Sequence, residues 1–259
     1  MKIIVLVKQV PDTEWERKLD PATGLLDRLA GENVADEINE RALEVALRYK
    51  DSHKGTEVVV LSMGPASTTK ALRKALSMGA DSAVHILDDA LAGSDVGWTA
   101  EVLAAALKNS SFDLVIAGNE STDGRGGVVP AMVAEHLSLP FLGSLNSAEI
   151  SEHAVSGERR GEVGTLTAHA SLPAVVSVTE RSAEARFANF KGIMMAKRKP
   201  LVTVALRDLG VDPSALAGTG RSVVVTTSQR PARTAGKKII DEGNAGNELA
   251  EFLVAGRLI

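Results

Sequence analysis

The chain has 259 residues, 44% of them apolar and 24% charged, with a formal net charge of −4 and no cysteine. That length is enough for a substantial core, and the composition is that of an ordinary globular protein. The acidic balance argues against a nucleic-acid binder; the missing cysteine excludes disulfides, thiolate nucleophiles and cysteine-ligated metals, and fits a reducing cytoplasm.

The opening segment, MKIIVLVKQV, has an apolar run broken by Lys8. It is too short to span a membrane and lacks a small-residue cleavage site, so it reads as a first strand over residues 3–7. Ile38, Ala42, Val45, Ala46 and Tyr49 then recur at helical spacing. A β-branched run at 58–62 follows, with a second helix through Ala71, Leu72, Ala75 and Leu76. Strands at 83–87 and 114–117 alternate with helices at 96–107 and 130–137. Continuous apolar strands separated by helices predict an α/β fold: an open, mostly parallel sheet with helices on both faces.

The pattern changes beyond residue 139. Strands at 145–150 and 164–171 flank a polar stretch at 153–162, which predicts a β-hairpin around a turn. A strand at 174–178 leads into a charged loop and a brief helix, and another strand covers 201–206. Residues 213–233 are rich in Gly, Ser, Thr and Pro, with 221–227 extended, and 247–255 reads as an amphipathic helix. A tail with so little core of its own needs another surface to pack on.

Ligands in an open parallel sheet sit beyond the carboxyl ends of the strands. Residues 8–12, 62–65 and 118–130 occupy such positions. The third, GNESTDGRGGVVP, has glycines that can turn successive amides toward one point just before a helix, an anion site that needs no lysine. Its plainer reading is a flexible connection. No Walker A sequence and no GxGxxG after the first strand define the ligand. The five histidines are scattered without metal-ligand spacing, and no acid–base pair emerges. Asp36, Glu37 and Glu40 sit where a helix begins and suit capping.

Taken in order, VKQVPD (7–12), DEINERALEVAL (36–47), LSMGPAS (61–67), ALSMGAD (75–81), the glycine loop, LPAVVSVTER (172–181) with the following FANFKGIMMAKRKP (187–200), and ARTAGKKI (232–239) resemble the β subunits of electron transfer flavoproteins. The likeness covers essentially the whole chain. It implies a non-enzymatic subunit that binds a structural AMP and pairs with an α subunit carrying the redox-active FAD. Electrons arrive from acyl-CoA and related dehydrogenases and leave to a membrane quinone oxidoreductase, while the subunit itself is cytoplasmic and not membrane-embedded. By the same resemblance, Gly126, Gly127, Val128 and Val129 hold the AMP phosphate through backbone amides, and Leu6, Asp36, Met63 and Asp123 line its base and ribose. Glu184, Arg186, Phe187, Phe190 and Lys191 belong to a loop that docks dehydrogenases.

The implied organisation is a nucleotide-binding domain over 1–187, a recognition loop and helix over 183–200, and a C-terminal strand and arm over 201–259 that packs on the α subunit. Asp36 stands where many members have Asn, and Thr13 where some have a tyrosine near the flavin. The loop 124–127 lacks the acidic run of electron-bifurcating members, which favours AMP over a second FAD. That second FAD, and a nucleotide-hydrolysing or nucleotide-transferring enzyme on a similar sheet, are the alternatives. Against the enzyme stands the absence of an SGGxDS-type loop. Phe190, Ile193 and Met194 also suit the buried face of a short helix. Lys197, Arg198 and Lys199 suit either the end of that helix or the steering of an acidic partner.

Overall fold

The structure, a computed structural model, describes residues 1–214, 222–236 and 238–259. They fall into two units, Met1–Val225 and Thr226–Ile259. The first unit opens with β1 (Lys2–Leu6), β2 (Gln9–Pro11), β3 (Asn33–Ala35), α1 (Glu37–Ser52) and β4 (Glu57–Met63). It continues through α2 (Thr69–Met78), β5 (Ser82–Ile86), α3 (Val96–Lys108), β6 (Leu114–Gly118) and α4 (Val129–Leu137). Then come β7 (Phe141–Leu145), β8 (Ser147–Ile150), β9 (Ala154–Gly161), β10 (Gly164–Ser171), β11 (Ala174–Val178), α5 (Phe190–Ala196) and β12 (Leu201–Val204). The second unit holds α6 (Ala245–Ala255).

Seven strands form one sheet in the order β12-β5-β4-β1-β6-β11-β7, and each neighbouring pair runs parallel. Alternate residues of β1 serve different cores. Ile3 and Val5 pack with Ala42, Leu43 and Leu47 of α1 and Leu72 and Leu76 of α2. Ile4 and Leu6 pack with Trp98, Val102 and Leu103 of α3 and Val133 of α4. Because both faces are covered, the strand has no polar side, which is why the apolar runs are unbroken. Each such side chain contributes roughly 1.5–3 kcal/mol by leaving water.

The helices start and stop for local reasons. Asp36 caps α1, its Oδ1 accepting from the Ile38 amide at 3.0 Å, and Asp95 caps α3 by accepting from the Trp98 amide at 2.9 Å. Pro130 sits in the first turn of α4, where its missing N–H costs nothing. The Lys199 ammonium donates to the Leu76 and Ala80 carbonyls at 2.9 and 2.5 Å, closing the carboxyl end of α2. Burial, with the nearby Lys50 charge, lowers its pKa against the opposing pull of Asp81. Lys199 is thus turned inward onto a different helix from the one it follows in sequence.

Two features differ from the sequence-based expectation. The polar stretch 153–162 is largely strand: β9 pairs antiparallel with both β8 and β10, and the turn falls at Glu162 and Val163. Only the first half of β9 meets the core, so its outer half shows no alternation and resembles a turn in sequence. The strand read as 201–206 stops at Val204, and Leu206 begins a short 3-10 turn that buries its side chain fully. That strand pairs with β5 and completes the main sheet. Of the extended segment read at 221–227, Arg221 lies outside the described residues, as do 215–220 and Lys237.

Candidate functional site

β1 lies between β4 and β6 in the sheet, so connections leave it in opposite directions. Such a switch point opens a crevice at the carboxyl ends of the strands. Leu6 ends β1, Met63 ends β4 and Gly118 ends β6, so the three segments picked from the sequence meet at this one edge. Leu6 is buried in the apolar cluster beneath it, and half-buried Met63 packs against that cluster.

Side chains from elsewhere hold the glycine loop in place. Asp36 is fully buried, and while one oxygen caps α1 the other accepts the Thr122 amide at 2.7 Å. Lys8 donates to Ser121 Oγ at 3.1 Å and to Asp123 Oδ1 at 2.7 Å. Arg28 reaches the other Asp123 oxygen at 3.4 Å, and Arg17 donates to the Thr122 carbonyl and hydroxyl. Burial alone would raise the Asp123 pKa. The charge and hydrogen bond of Lys8, then hydrogen bonds from Ser121 and the Gly124 amide, outweigh it and hold the carboxyl below its ordinary range.

The loop so fixed leaves four amides open beyond Arg125. Gly126, Gly127, Val128 and Val129 donate to nothing among the described residues, and the first three are exposed. Arg125 and Gly127 have left-handed backbones, with φ of 48° and 67°, which turn the chain so that neighbouring amides converge. A Cβ at Gly127 would meet no atom within 4 Å. Its constraint is therefore backbone angle and open space, not packing. Ser62 Oγ and Asn119 Oδ1, buried just at the ends of β4 and β6, also lack partners among the described residues. Open amides at a helix start, apolar walls and free polar atoms along one edge suit a nucleotide phosphate with its sugar and base.

The second site lies along residues 182–196. Phe187 is 96% exposed and Phe190 80% exposed, while Ile193, Met194 and Met195 are also exposed. Of α5 only Ala196 is buried, so this stripe is not the inner face of a helix. Glu184 and Lys191 are likewise at the surface. Arg186 is half-buried: it forms a two-pronged ion pair with Glu44 of α1, at 2.7 and 3.0 Å, and reaches Asp51 at 2.8 Å. Its hydrogen bond with Glu44 is the main cause of an upward shift in its pKa. Burial would raise the Glu44 pKa, but the hydrogen bonds of Arg186 and Arg48 and the charge of Arg186 lower it. A cleft beside this surface, between α2 and α5, is lined by Arg73, Lys74, Ser77, Ile193, Ala196 and Lys197.

Lys8, Arg17, Arg28 and Glu44 escaped the sequence reading. Lys8 and Glu44 stood in recognised segments without an assigned role, Arg17 and Arg28 in none, and all four pair with residues far along the chain. No local pattern marks such partners.

Among the described residues, no helix is long and apolar enough to cross a membrane. Residues 23–209 match the electron transfer flavoprotein domain. The electron transfer flavoprotein subunit beta of Mycobacterium leprae is 51% identical, over 99% of both chains. That of Mycobacterium tuberculosis strain H37Rv is also 51% identical, again over 99% of each. The caffeyl-CoA reductase-Etf complex subunit CarD of Acetobacterium woodii is 34% identical over 98% of this chain and 97% of its own length. The chain belongs to the electron transfer flavoprotein family, among its beta subunits, and is an electron-carrier subunit, not an enzyme.

Proposed function

We propose that this subunit binds one AMP in the crevice beside the 118–130 loop and pairs with an α subunit that holds the redox-active FAD. The four open amides of Gly126, Gly127, Val128 and Val129 carry this reading, because they offer a phosphate group its hydrogen bonds at the start of α4. Leu6 and Met63 supply the apolar wall for the base. Asp36 and Asp123 shape the ribose side by holding Thr122 and its neighbours in position. FAD supplies the electron chemistry when bound; this chain's residues bind, orient and present.

In this reading the complex is cytoplasmic. It takes electrons from acyl-CoA and related dehydrogenases, which dock on residues 183–200 around Phe187 and Phe190, and delivers them to a membrane quinone oxidoreductase. Residues 1–187 form the nucleotide-binding part, and the arm within 201–259 packs on the α subunit. Supporting the last point, α6 buries no residue of its own, and Leu249, Phe252 and Val254 are exposed.

The deciding experiment is to co-purify the chain with its α subunit, denature the complex, and identify the released nucleotides by mass spectrometry. One FAD with one AMP is the expected result. Two FAD would turn the glycine loop into a second flavin site, and release of FAD alone would overturn the nucleotide reading.

A further inference from the structure

Residues 179–189 have no regular secondary structure, yet the recognition surface emerges from them. A segment of this kind, with Phe187 almost wholly in solvent, would ordinarily sample many conformations and lose that freedom on docking. Here it is fastened on both sides of its exposed aromatic residues.

On the amino-terminal side, three residues of α1 hold it. Arg41 donates to the Ser182 carbonyl at 3.0 Å. Glu44 accepts from the Arg186 amide at 3.2 Å as well as from its guanidinium. Asp51 accepts a further hydrogen bond, at 2.8 Å, from the same Arg186 Nη2 that serves Glu44. The Glu44 side chain is 5% exposed, and Arg48 also donates to it, so it is a buried carboxylate with its charge matched and its oxygens occupied. A buried charge is unfavourable unless so paired, which makes the contact hard to open. Ala183 and Ala185 pack against the core beside it.

On the carboxyl-terminal side, Asn189 caps α5 by accepting from the Gly192 amide at 2.7 Å. A Cβ at Gly192 would collide with the Ser77 carbonyl oxygen of α2, so α5 lies directly on α2 there. Arg73 of α2 then donates to the Ala196 and Lys199 carbonyls at 2.7 and 2.9 Å. Between Arg186 and Gly192 only five residues remain, and Phe187 and Phe190 are among them.

We infer that Glu44, through its forked contact with Arg186, is a positioning residue that presets Phe187 and Phe190 in their docking geometry before a dehydrogenase arrives. Arg186, one of the residues the family resemblance places in the docking loop, is half-buried and spends its guanidinium on α1. The inference rests on the docking role proposed above for Phe190. Because α1 also carries Asp36 at its start, one rigid helix references both the nucleotide loop and the recognition segment.

The test uses the complete heterodimer with its FAD and an acyl-CoA dehydrogenase as electron donor. Glu44→Gln removes the charge but keeps the shape. It should raise the KM for the dehydrogenase about three- to tenfold, the scale expected when one or two side chains must be ordered on binding. Flavin content and kcat at saturating dehydrogenase should stay unchanged. Hydrogen exchange of the amides at 182–191 should accelerate in the same variant, and Arg186→Lys should lose less than Arg186→Gln. If Phe190→Ala raises KM while Glu44→Gln alters neither KM nor exchange, the positioning role is wrong and the docking role stands. If Phe190→Ala leaves KM unchanged, docking itself fails, and this inference with it. Should Glu44→Gln not fold, the graded pair at Arg186 and the exchange rates of the unmodified complex decide. Unprotected amides at 182–186 there would overturn the inference.

Discussion

The glycine loop at 118–130 and the exposed segment at 182–196 are built in opposite ways. The first presents backbone and is held by side chains: Asp36, Lys8, Arg17 and Arg28 grip Thr122 and Asp123, while the amides of residues 126–129 stay free. The second presents side chains and is held largely through backbone: Arg41, Glu44 and Arg73 bind carbonyls or an amide, leaving Phe187 and Phe190 outward. A phosphate needs several donors converging on a small volume, which consecutive amides provide without a desolvated lysine. A protein partner needs apolar area, which only side chains provide. The contrast teaches that substitutions in the two regions should fail differently, by geometry in the first and by lost contact area in the second.

Four changes would sharpen or break that contrast. The largest effect is expected from Asp36→Ala, which removes a helix cap and leaves the buried Thr122 amide without its acceptor. Urea unfolding should show a loss of about 2–4 kcal/mol, with released nucleotide falling in parallel. Next, Phe190→Ala should cost about 2 kcal/mol of docking, roughly a 30-fold rise in KM for the dehydrogenase. Because Phe190 is exposed, unfolding stability should move by less than about 0.5 kcal/mol. Equal loss of bound flavin would place Phe190 in the structure instead of the interface.

A smaller effect is expected from Gly127→Val. A β-branched residue at a φ of 67° is strained by about 1–2 kcal/mol, although open space surrounds it. The loop should relax away from that angle, so the complex should retain less AMP while docking kinetics at saturating nucleotide stay normal. The smallest concerns pH. Asp123 has a lowered pKa in the folded chain, so its stabilising contribution is present at neutral pH. It is lost as pH falls below roughly 4, the ordinary carboxylate value, and on through the depressed folded value. Asp123→Asn should flatten that part of the stability–pH profile, and an unchanged profile would remove Asp123 from the loop's support.

Much of the fold is legible in the sequence. The runs at 3–7, 58–62, 83–87 and 114–117 all became parallel strands of the main sheet, because burial on both faces forces unbroken apolar sequence. The helices were equally plain, since Ala42, Val45 and Ala46 repeat at the period of the face they bury. The outer half of β9 was not. Glu158, Arg159 and Arg160 lie where both faces of a ribbon meet water, and a strand without a buried face has no alternation to detect.

The two functional loops show the same division. Glycines before a proline-started helix marked a loop that keeps four amides open, and an apolar cluster in a charged setting marked a segment that lies exposed. Neither pattern showed what supports them. Arg186 lies 142 positions from Glu44, and Lys8 lies 115 from Asp123. Pairings over such distances depend on where the sheet brings its strands and helices together.

By itself the sequence determined the alternation of strand and helix, the parallel sheet and the place of the glycine loop, because these follow from local preferences and the period of burial. Tertiary structure decided the rest. It turned Lys199 onto α2 and Arg186 onto Glu44, and left Phe187 and Phe190 in solvent. Whether a charge is buried with a partner or an aromatic ring is left exposed depends on neighbours that only the folded chain supplies.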